Sequence, residues 1–305
     1  MKVGVNLINF GEGASAESLK RWAQLSESLG YHLLMASDHI AIAPDVHARY
    51  PAPFYEPIAL LGWLAGATSK IELGTTVLIV PYRSPLEVAR ACANVDQYSG
   101  GRFILGVGIG WAQEEFKALN VPFKSRGAMT NEYLEVIKLL WTEDVASYEG
   151  KFVSFTDMHT APRPVQSPHI PVWVGGPSDA AFRRTVRYGD AWHPIRNQMD
   201  RFKNIEIPRL KEIADEEGKP MPALAPRIKL WLTDSPVTKE DRIIGEGSLD
   251  QIHGDLAELE ELGCTYVVLD TYADDVSTLG SSETSWRVLS LMAEKVLDLE
   301  NQTVR

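Results

Sequence analysis

Residues 102–111 read RFILGVGIGW, an apolar run that passes directly into alternate glycines, Gly106, Gly108 and Gly110. An open dinucleotide-binding sheet would carry the pattern G-x-G-x-x-G at its first strand-to-helix turn. Here the glycines follow the fourth predicted strand, and Trp111 stands where the third glycine belongs. The stretch therefore argues against a Rossmann fold and favours a closed barrel of alternating strands and helices.

Eight strand-like runs alternate with helical patterns on both sides of this stretch. The first helical pattern, 15–29, opens with the N-cap residue Ser15 and closes at Gly30. The predicted strands are 3–8, 31–36, 70–79, 102–110, 171–176, 190–193, 227–234 and 264–270. Parallel strands joined by crossover helices in eight units predict an α/β protein of the (β/α)₈ TIM-barrel class.

The pattern loosens between about residues 120 and 171, where a hairpin-like segment, 148–155, precedes a proline-rich connector. Strand and helix alternation resumes directly afterwards. We therefore expect residues 1–305 to form a single domain, with 120–171 as an insertion region and insertion segments at the C-terminal rim of the barrel.

Composition excludes several classes of protein. The 305 residues carry a net charge of -11, which argues against nucleic acid or an anionic membrane as a partner. The two cysteines, Cys92 and Cys264, are far apart, so neither a disulfide framework nor a cysteine-rich metal site is indicated. No signal peptide or membrane span is evident, and we expect a cytoplasmic protein.

The active site of a (β/α)₈ barrel lies at the C-terminal ends of its strands. The residues that follow or end the predicted strands are Asn9, Asp38, His39, Thr75, Thr76, Gly108, Trp111, Gly175, Gly176, Pro177, Ser178, His193, Asp234 and Asp270. Structural alternatives exist for some of them: Asp38 can cap a turn, and His39 and His193 can be packing residues. The scattered histidines show no metal-binding spacing, so no metal is expected.

Several of these residues belong to ordered motifs that span most of the chain. The motifs are SDHI (37–40), GTTVLIVPYRSPLEVAR (74–90), DQYSGGRFILGVGIGW with Glu114 and Glu115 (96–115), RG with EYLEVIKLLW (126–141), IPVWVGG (170–176) and YGDAWHP (188–194). Together they resemble the luciferase-like monooxygenase superfamily, and within it the branch of probable coenzyme F420-dependent oxidoreductases.

This resemblance implies a flavin-shaped cofactor, coenzyme F420 or alternatively FMN, lying across the C-terminal rim. A non-prolyl cis peptide is implied in the segment of Thr75 and Thr76, behind the central ring, with Asp38 and His39 at the reactive edge of the ring. Gly108 would lie beside the ring. The polar tail would be held by Gly175, Gly176, Pro177 and Ser178, where backbone donors at a helix start suit a phosphate.

The expected reaction is hydride transfer between coenzyme F420 and a small organic substrate. His39 would act as general acid or base, with Asp38 orienting it or bonding the ring, because an imidazole titrates near neutral pH. Phe54, Tyr55 and Trp111 would form an apolar substrate pocket. The family's sugar-phosphate dehydrogenases carry an acid where this chain has Trp111, which argues against a sugar phosphate as substrate.

Two alternatives keep the fold. One is an FMNH2-dependent monooxygenase that uses O2 and a partner flavin reductase. The other is a non-catalytic flavin-binding protein, against which the intact Asp38 and His39 pair argues. The resemblance also implies a homodimer.

Overall fold

The computed structural model describes residues 1–305, and its eight main strands form one parallel sheet closed into a barrel. The strands are β1, Lys2–Leu7; β2, Leu33–Ala36; β3, Glu72–Thr75; β4, Phe103–Gly108; β5, Val172–Val174; β6, Ala191–Trp192; β7, in two pieces, Ala223–Leu224 and Arg227–Lys229; and β8, Tyr266–Asp270. The first piece of β7 pairs with β6 and the second with β8, which completes the ring. The predicted TIM-barrel class is confirmed.

A helix follows each strand, as the alternation predicts. These helices are α1, Ala16–Ser28; α2, Pro57–Ala65; α3, Pro85–Ser99; α4, Arg126–Thr142; α5, Asp179–Tyr188; α6, Ile207–Glu216; α7, Leu249–Glu261; and α8, Glu283–Lys295. Shorter helical segments are Pro44–His47, Val80–Tyr82, Gln113–Ala118, Phe123–Ser125, Met199–Arg201, Phe202–Glu206 and Val276–Gly280. None of the helices combines the length and apolar character needed to cross a membrane.

The helix ends follow the signals in the sequence. Ser15 and Ser248 each begin a helix with a capping box. The serine side chain accepts a hydrogen bond from the backbone N–H of the third helical residue, and the side chain of that residue accepts one from the backbone N–H of the serine. Helix α3 ends at Gly100, whose φ of 70° is left-handed and suits a residue without a Cβ. Local sequence therefore sets these boundaries before packing contributes.

Three small ladders lie outside the barrel. An antiparallel hairpin joins Val145–Glu149 to Ser154–His159, with Gly150 in its turn as expected. A second ladder pairs Trp231–Leu232 with Glu246–Gly247, and a third pairs Leu297–Asp298 with Thr303–Val304.

The predicted seventh strand, 227–234, is wrong at both ends. It begins at Ala223 and leaves the barrel after Lys229, because β8 ends at Asp270, whose carbonyl accepts from the N–H of Leu230. Beyond that point no barrel strand remains as a partner. Asp234 is consequently an exposed residue away from the rim position predicted for it.

Apolar side chains fill the inside of the barrel below its C-terminal end. Residues two apart on a strand share a face, so Leu33 and Met35 of β2 both point inward. They join a buried cluster that also contains Ile104, Trp173, Ala191, Ala225 and Val268. A larger cluster of 64 buried residues packs the sheet against the helices. The cavity described below lies above this filled interior, at the C-terminal ends of the strands.

Candidate active site

A cavity of about 430 Å³ opens at the C-terminal end of the barrel. Its wall includes residues that follow or end all the strands from β2 to β8. They are Ser37, Asp38, His39, Tyr50, Phe54, Thr76, Val77, Ile79, Gly108, Ile109, Gly110, Trp111, Gly175, Gly176, Pro177, His193, Ile195, Arg196, Arg227, Ile228, Lys229 and Asp270. A volume of this size accommodates a small-molecule ligand or cofactor.

His39 is buried on this wall and is held by a carboxylate from a distant part of the chain. Its Nδ1 lies 2.6 Å from Oε2 of Glu115, which is completely buried. Oε2 also accepts from the hydroxyl of Tyr82 at 2.9 Å, while Oε1 accepts from the backbone N–H groups of Ile40 and Ala41 at 2.6 and 2.9 Å. The second imidazole nitrogen, Nε2, makes no hydrogen bond within the protein.

The charge on Glu115 is stabilised despite its burial. Burial acts to raise the pKa of the Glu115 carboxyl, but the His39 ring and the surrounding N–H and O–H donors outweigh it and hold the pKa below its usual range. Burial and the neighbouring Glu115 carboxylate raise the pKa of Tyr82, so its hydroxyl remains a donor. An ionised carboxylate only accepts hydrogen bonds, so Nδ1 of His39 carries a proton.

Aromatic side chains surround the His39 ring. Tyr50 stacks on it with ring centroids 5.6 Å apart, and Phe54 and Trp111 meet it edge-on at 5.5 and 5.7 Å. Two of these three, Phe54 and Trp111, are residues that we expected in a substrate pocket. The third predicted pocket residue, Tyr55, does not line the cavity; it packs against the main apolar cluster.

Asp38 is engaged by an arginine and does not contact the ring of its neighbour His39. Its two carboxylate oxygens each accept from a terminal nitrogen of Arg83 at 2.8 Å, and Oδ2 also accepts from the N–H of Ile79 at 2.9 Å. Of the two roles expected for Asp38, orienting His39 does not match this geometry, because Glu115 provides the carboxylate that meets the imidazole. Bonding to the ring of the cofactor stays a prediction. Asp38 instead joins the SDHI segment to the chain after β3.

The floor of the cavity is formed by the peptide between Thr76 and Val77, which is a non-prolyl cis bond. The Thr76 hydroxyl lies 2.8 Å from Nε2 of His193, and the carbonyl of Thr76 accepts from Arg227 at 2.8 Å. Thr75, predicted to bind cofactor, lies outside the lining because its hydroxyl donates to the carbonyl of Gly106 at 2.6 Å. Strand β3 ends at Thr75, and Thr76, the residue that follows it, is the one of the two threonines that lines the cavity.

His193 is completely buried and neutral. Its Nδ1 faces the carbonyl oxygen of Ala225, which only accepts, so Nδ1 donates and Nε2 accepts from Thr76. Burial lowers the pKa of His193 to about 4, with the charge of Arg227 acting in the same direction and the bond to Ala225 opposing it. The packing role predicted for this histidine agrees with its burial, although it also borders the cavity.

A buried ionic cluster occupies the side of the cavity formed by β7 and β8. Asp270 accepts from Arg227 at 2.8 Å, from Lys229 at 2.9 Å and from Asn6 at 3.0 Å. Burial acts to raise the pKa of Asp270, but the charges of Arg227 and Lys229 outweigh it and hold the pKa well below its usual range. Lys229 also donates to Asp274 at 3.1 Å and to the carbonyl of Tyr272 at 2.8 Å, which uses all three of its hydrogens.

Glycines leave bare backbone on the opposite side of the wall. A Cβ added to Gly108 would lie 2.5 Å from Cγ2 of Val77, and Gly176 has a left-handed φ of 108°. Gly175, Gly176 and Pro177 line the cavity as predicted residues, whereas the Ser178 hydroxyl caps helix α5 and lies outside the lining. A flat ring can approach such a wall closely, and the start of α5 offers N–H donors to an anion. The residues present fit a flavin or deazaflavin.

Sequence reasoning missed several residues of the wall and its support. Glu115 occurred within a motif but without a role, and Tyr50 and Arg196 were not identified. Arg227 and Lys229 carried a usable signal: two cations at alternate positions of a predicted strand point to the same face, and a buried strand rarely tolerates them without a polar environment.

Sequence relatives include enzymes of two cofactor types. An uncharacterized protein of Mycobacterium bovis is 31% identical over 244 residues, 72% of this chain and 86% of the relative. The F420-dependent glucose-6-phosphate dehydrogenase of Kineococcus radiotolerans is 32% identical over 70% of this chain and 64% of the relative. The FMNH2-dependent dimethylsulfone monooxygenase of Pseudomonas putida is 29% identical over 60% of this chain and 50% of the relative.

Solved structures share the fold of this chain. The coenzyme F420-dependent tetrahydromethanopterin reductase of Methanopyrus kandleri superposes with a TM-score of 0.76 at 18% identity, covering 96% of this chain and 98% of that one. The sequence model of luciferase-like monooxygenases matches residues 1–242. A barrel with its cavity at the strand ends and a sequence match over most of its length lead to one conclusion: the chain belongs to the luciferase-like monooxygenase family.

Proposed function

We propose that this protein is an F420-dependent oxidoreductase that transfers a hydride between coenzyme F420 and a small organic substrate. The observation that carries the proposal is the pairing of His39 with Glu115 on the wall of a cavity with bare backbone at Gly108, Gly175 and Gly176. The bound deazaflavin supplies or accepts the hydride. Relatives whose names include this cofactor support the choice.

His39 exchanges the proton that accompanies the hydride. Glu115 holds the imidazole on its Nδ1 side, so Nε2 is the nitrogen left to give a proton to the substrate or to take one from it. Tyr50, Phe54 and Trp111 exclude water from the reacting atoms by surrounding the ring. Thr76, Val77 and the glycines, which line the cavity, would hold the flat cofactor.

The polarity of the wall restricts the substrate class. Several polar side chains around the cavity have partners already: Asp38 binds Arg83, and both ring nitrogens of His193 are bonded. Arg196, half exposed at the mouth, pairs with Asp274. The aromatic part of the wall offers a substrate three polar atoms that make no hydrogen bond within the protein: Nε2 of His39, the Tyr50 hydroxyl and the indole N–H of Trp111. We infer a largely apolar substrate with a hydrogen-bonding group at its reacting centre, such as a ketone, an enone or a secondary alcohol.

A second function uses the same residues with a different cofactor. Reduced FMN from a partner flavin reductase would make the protein a monooxygenase that consumes O2. The sequence similarity to the FMNH2-dependent enzyme of Pseudomonas putida favours keeping this candidate. His39 would again handle the proton, because its position on the wall does not depend on which of the two ring systems is bound.

A binding titration separates the candidates. Apoprotein is titrated with F420 and, separately, with FMN, and the fluorescence of each cofactor is followed. The proposal expects F420 to bind at least about tenfold more tightly than FMN, a difference of about 1.4 kcal/mol. The reverse order favours the monooxygenase. Binding of neither cofactor overturns both functions. Turnover of a ketone with reduced F420, followed by reoxidation of the cofactor, then tests the reaction.

A further inference from the structure

We propose that Glu115 is a positioning residue: it decides which ring nitrogen of His39 faces the cavity without a hydrogen-bond partner. It holds the proton on Nδ1 and thereby leaves Nε2 as the atom that takes or gives a proton. The proposal deepens the proposed function and rests on it for the identity of the reaction. The contact itself is a property of the protein alone.

The hydrogen-bond donors around Glu115 fix the orientation of its carboxylate. Oε1 is occupied by the N–H groups of Ile40 and Ala41, and Oε2 by Tyr82 and His39. Every one of these partners donates, and the side chain has no exposed surface. The acid therefore binds both the imidazole and the backbone that directly follows it, which fixes the ring relative to its own chain.

The helix that carries Glu115, Gln113–Ala118, is docked independently of the imidazole. Phe116, the next residue, packs edge-on against Tyr82 with ring centroids 4.8 Å apart and against Phe123 at 5.2 Å. With Ile79 these rings form a small buried cluster beside the cavity. Apolar packing next to Glu115 thus helps to fix the helix that carries the carboxylate.

No other charged group bonds to the His39 ring. Asp38 is paired with Arg83, and Arg83 also binds Glu56. Arg49 lies over the ring of Trp111, 5.2 Å from its centroid, and the remaining contacts of the imidazole are aromatic. Because the surroundings are otherwise apolar or already neutralised, the carboxylate of Glu115 dominates the electrostatics at His39.

Nitrogen-15 NMR of the histidine rings in apoprotein tests the inference without substrate or cofactor. The His39 signals are assigned by their loss in His39→Gln. In the unmodified protein the neutral ring should be protonated on Nδ1, which the two nitrogen shifts report. Glu115→Gln keeps an acceptor for the backbone N–H groups but turns an amide NH2 toward the ring. The neutral ring should then move its proton to Nε2, because the amide NH2 donates where the carboxylate accepted.

Tyr82→Phe is the matched control, because it removes a donor from the same carboxylate and leaves the charge in place. It should keep the Nδ1 proton. The inference is overturned if the unmodified protein already carries the neutral proton on Nε2, a measurement that needs no variant to fold. It is also overturned if a folded Glu115→Gln protein keeps the original tautomer. Loss of cofactor binding in the titration above would reject the proposed function and leave this result standing.

Discussion

Arg83 donates two parallel hydrogen bonds of 2.8 Å to Asp38, one to each carboxylate oxygen. Asp38, although adjacent to His39 in the chain, therefore does not bond to the imidazole. Both side chains are nearly inaccessible, at 8% and 0% exposure. The pair ties the segment after β2 to the segment after β3. Its role is to hold the wall on which the imidazole sits.

Replacing Arg83 with Met should destabilise the protein strongly. Removing one partner of a buried ion pair leaves an unpaired buried charge and costs about 3–5 kcal/mol. Urea unfolding measures the loss. Lys117→Met, at a side chain that is 78% exposed and paired with Glu114, is the control and should change the free energy of unfolding by less than about 1 kcal/mol. A similar small change for both variants would contradict the structural role of the Asp38 pair.

His39→Gln should slow turnover by ~10²-fold or more, because it removes the general acid or base. Affinity for the cofactor should stay within a few-fold, since the backbone floor at Thr76 and Gly108 is unchanged. Steady-state rates and the fluorescence titration measure the two quantities. His159→Gln, in the exposed hairpin, is the matched histidine control and should leave both unchanged. Full activity in His39→Gln would remove this residue from the mechanism.

Gly108→Ala should weaken cofactor binding by about tenfold or more while the protein still folds. The new methyl group would lie 2.5 Å from Cγ2 of Val77, so the cavity wall formed by these two residues must shift. Gly254→Ala in helix α7 is the control, because nothing lies within 4 Å of its Cβ position. It should stabilise the helix by about 0.5–1 kcal/mol and leave binding intact. Unaltered affinity in Gly108→Ala would place the ring elsewhere.

His193 predicts a specific pH dependence of stability. Its pKa of about 4 in the folded protein lies below the unfolded value near 6.5, so the folded state favours the neutral ring. The contribution is complete above pH 6.5 and is lost as the pH falls from about 6.5 toward 4. At 1.36 kcal/mol per unit it amounts to roughly 3 kcal/mol.

Urea unfolding over this pH range measures the slope. In His193→Gln, the part of the slope due to this residue should disappear, because glutamine does not titrate. An equally steep loss of stability in the variant would show that other groups cause it.

Sequence by itself determined the barrel and the region of the site. Strand and helix periods are local properties, and the C-terminal ends of parallel strands share one edge, so His39, Gly108 and Gly175 could be grouped before any coordinates. Helix ends at Ser15, Ser248 and Gly100 are local for the same reason.

Tertiary structure decided the partners within that region. His39 meets Glu115, 76 residues away, although Asp38 is adjacent in sequence, because the packing of Phe116 on Tyr82 brings that helix to the wall. Tertiary structure also decided that Thr76, and not Thr75, lines the cavity. The seventh strand leaves the barrel after Lys229, earlier than expected, because its partner β8 ends at Asp270. Such choices depend on which side chains meet across the closed barrel, a property that no local pattern contains.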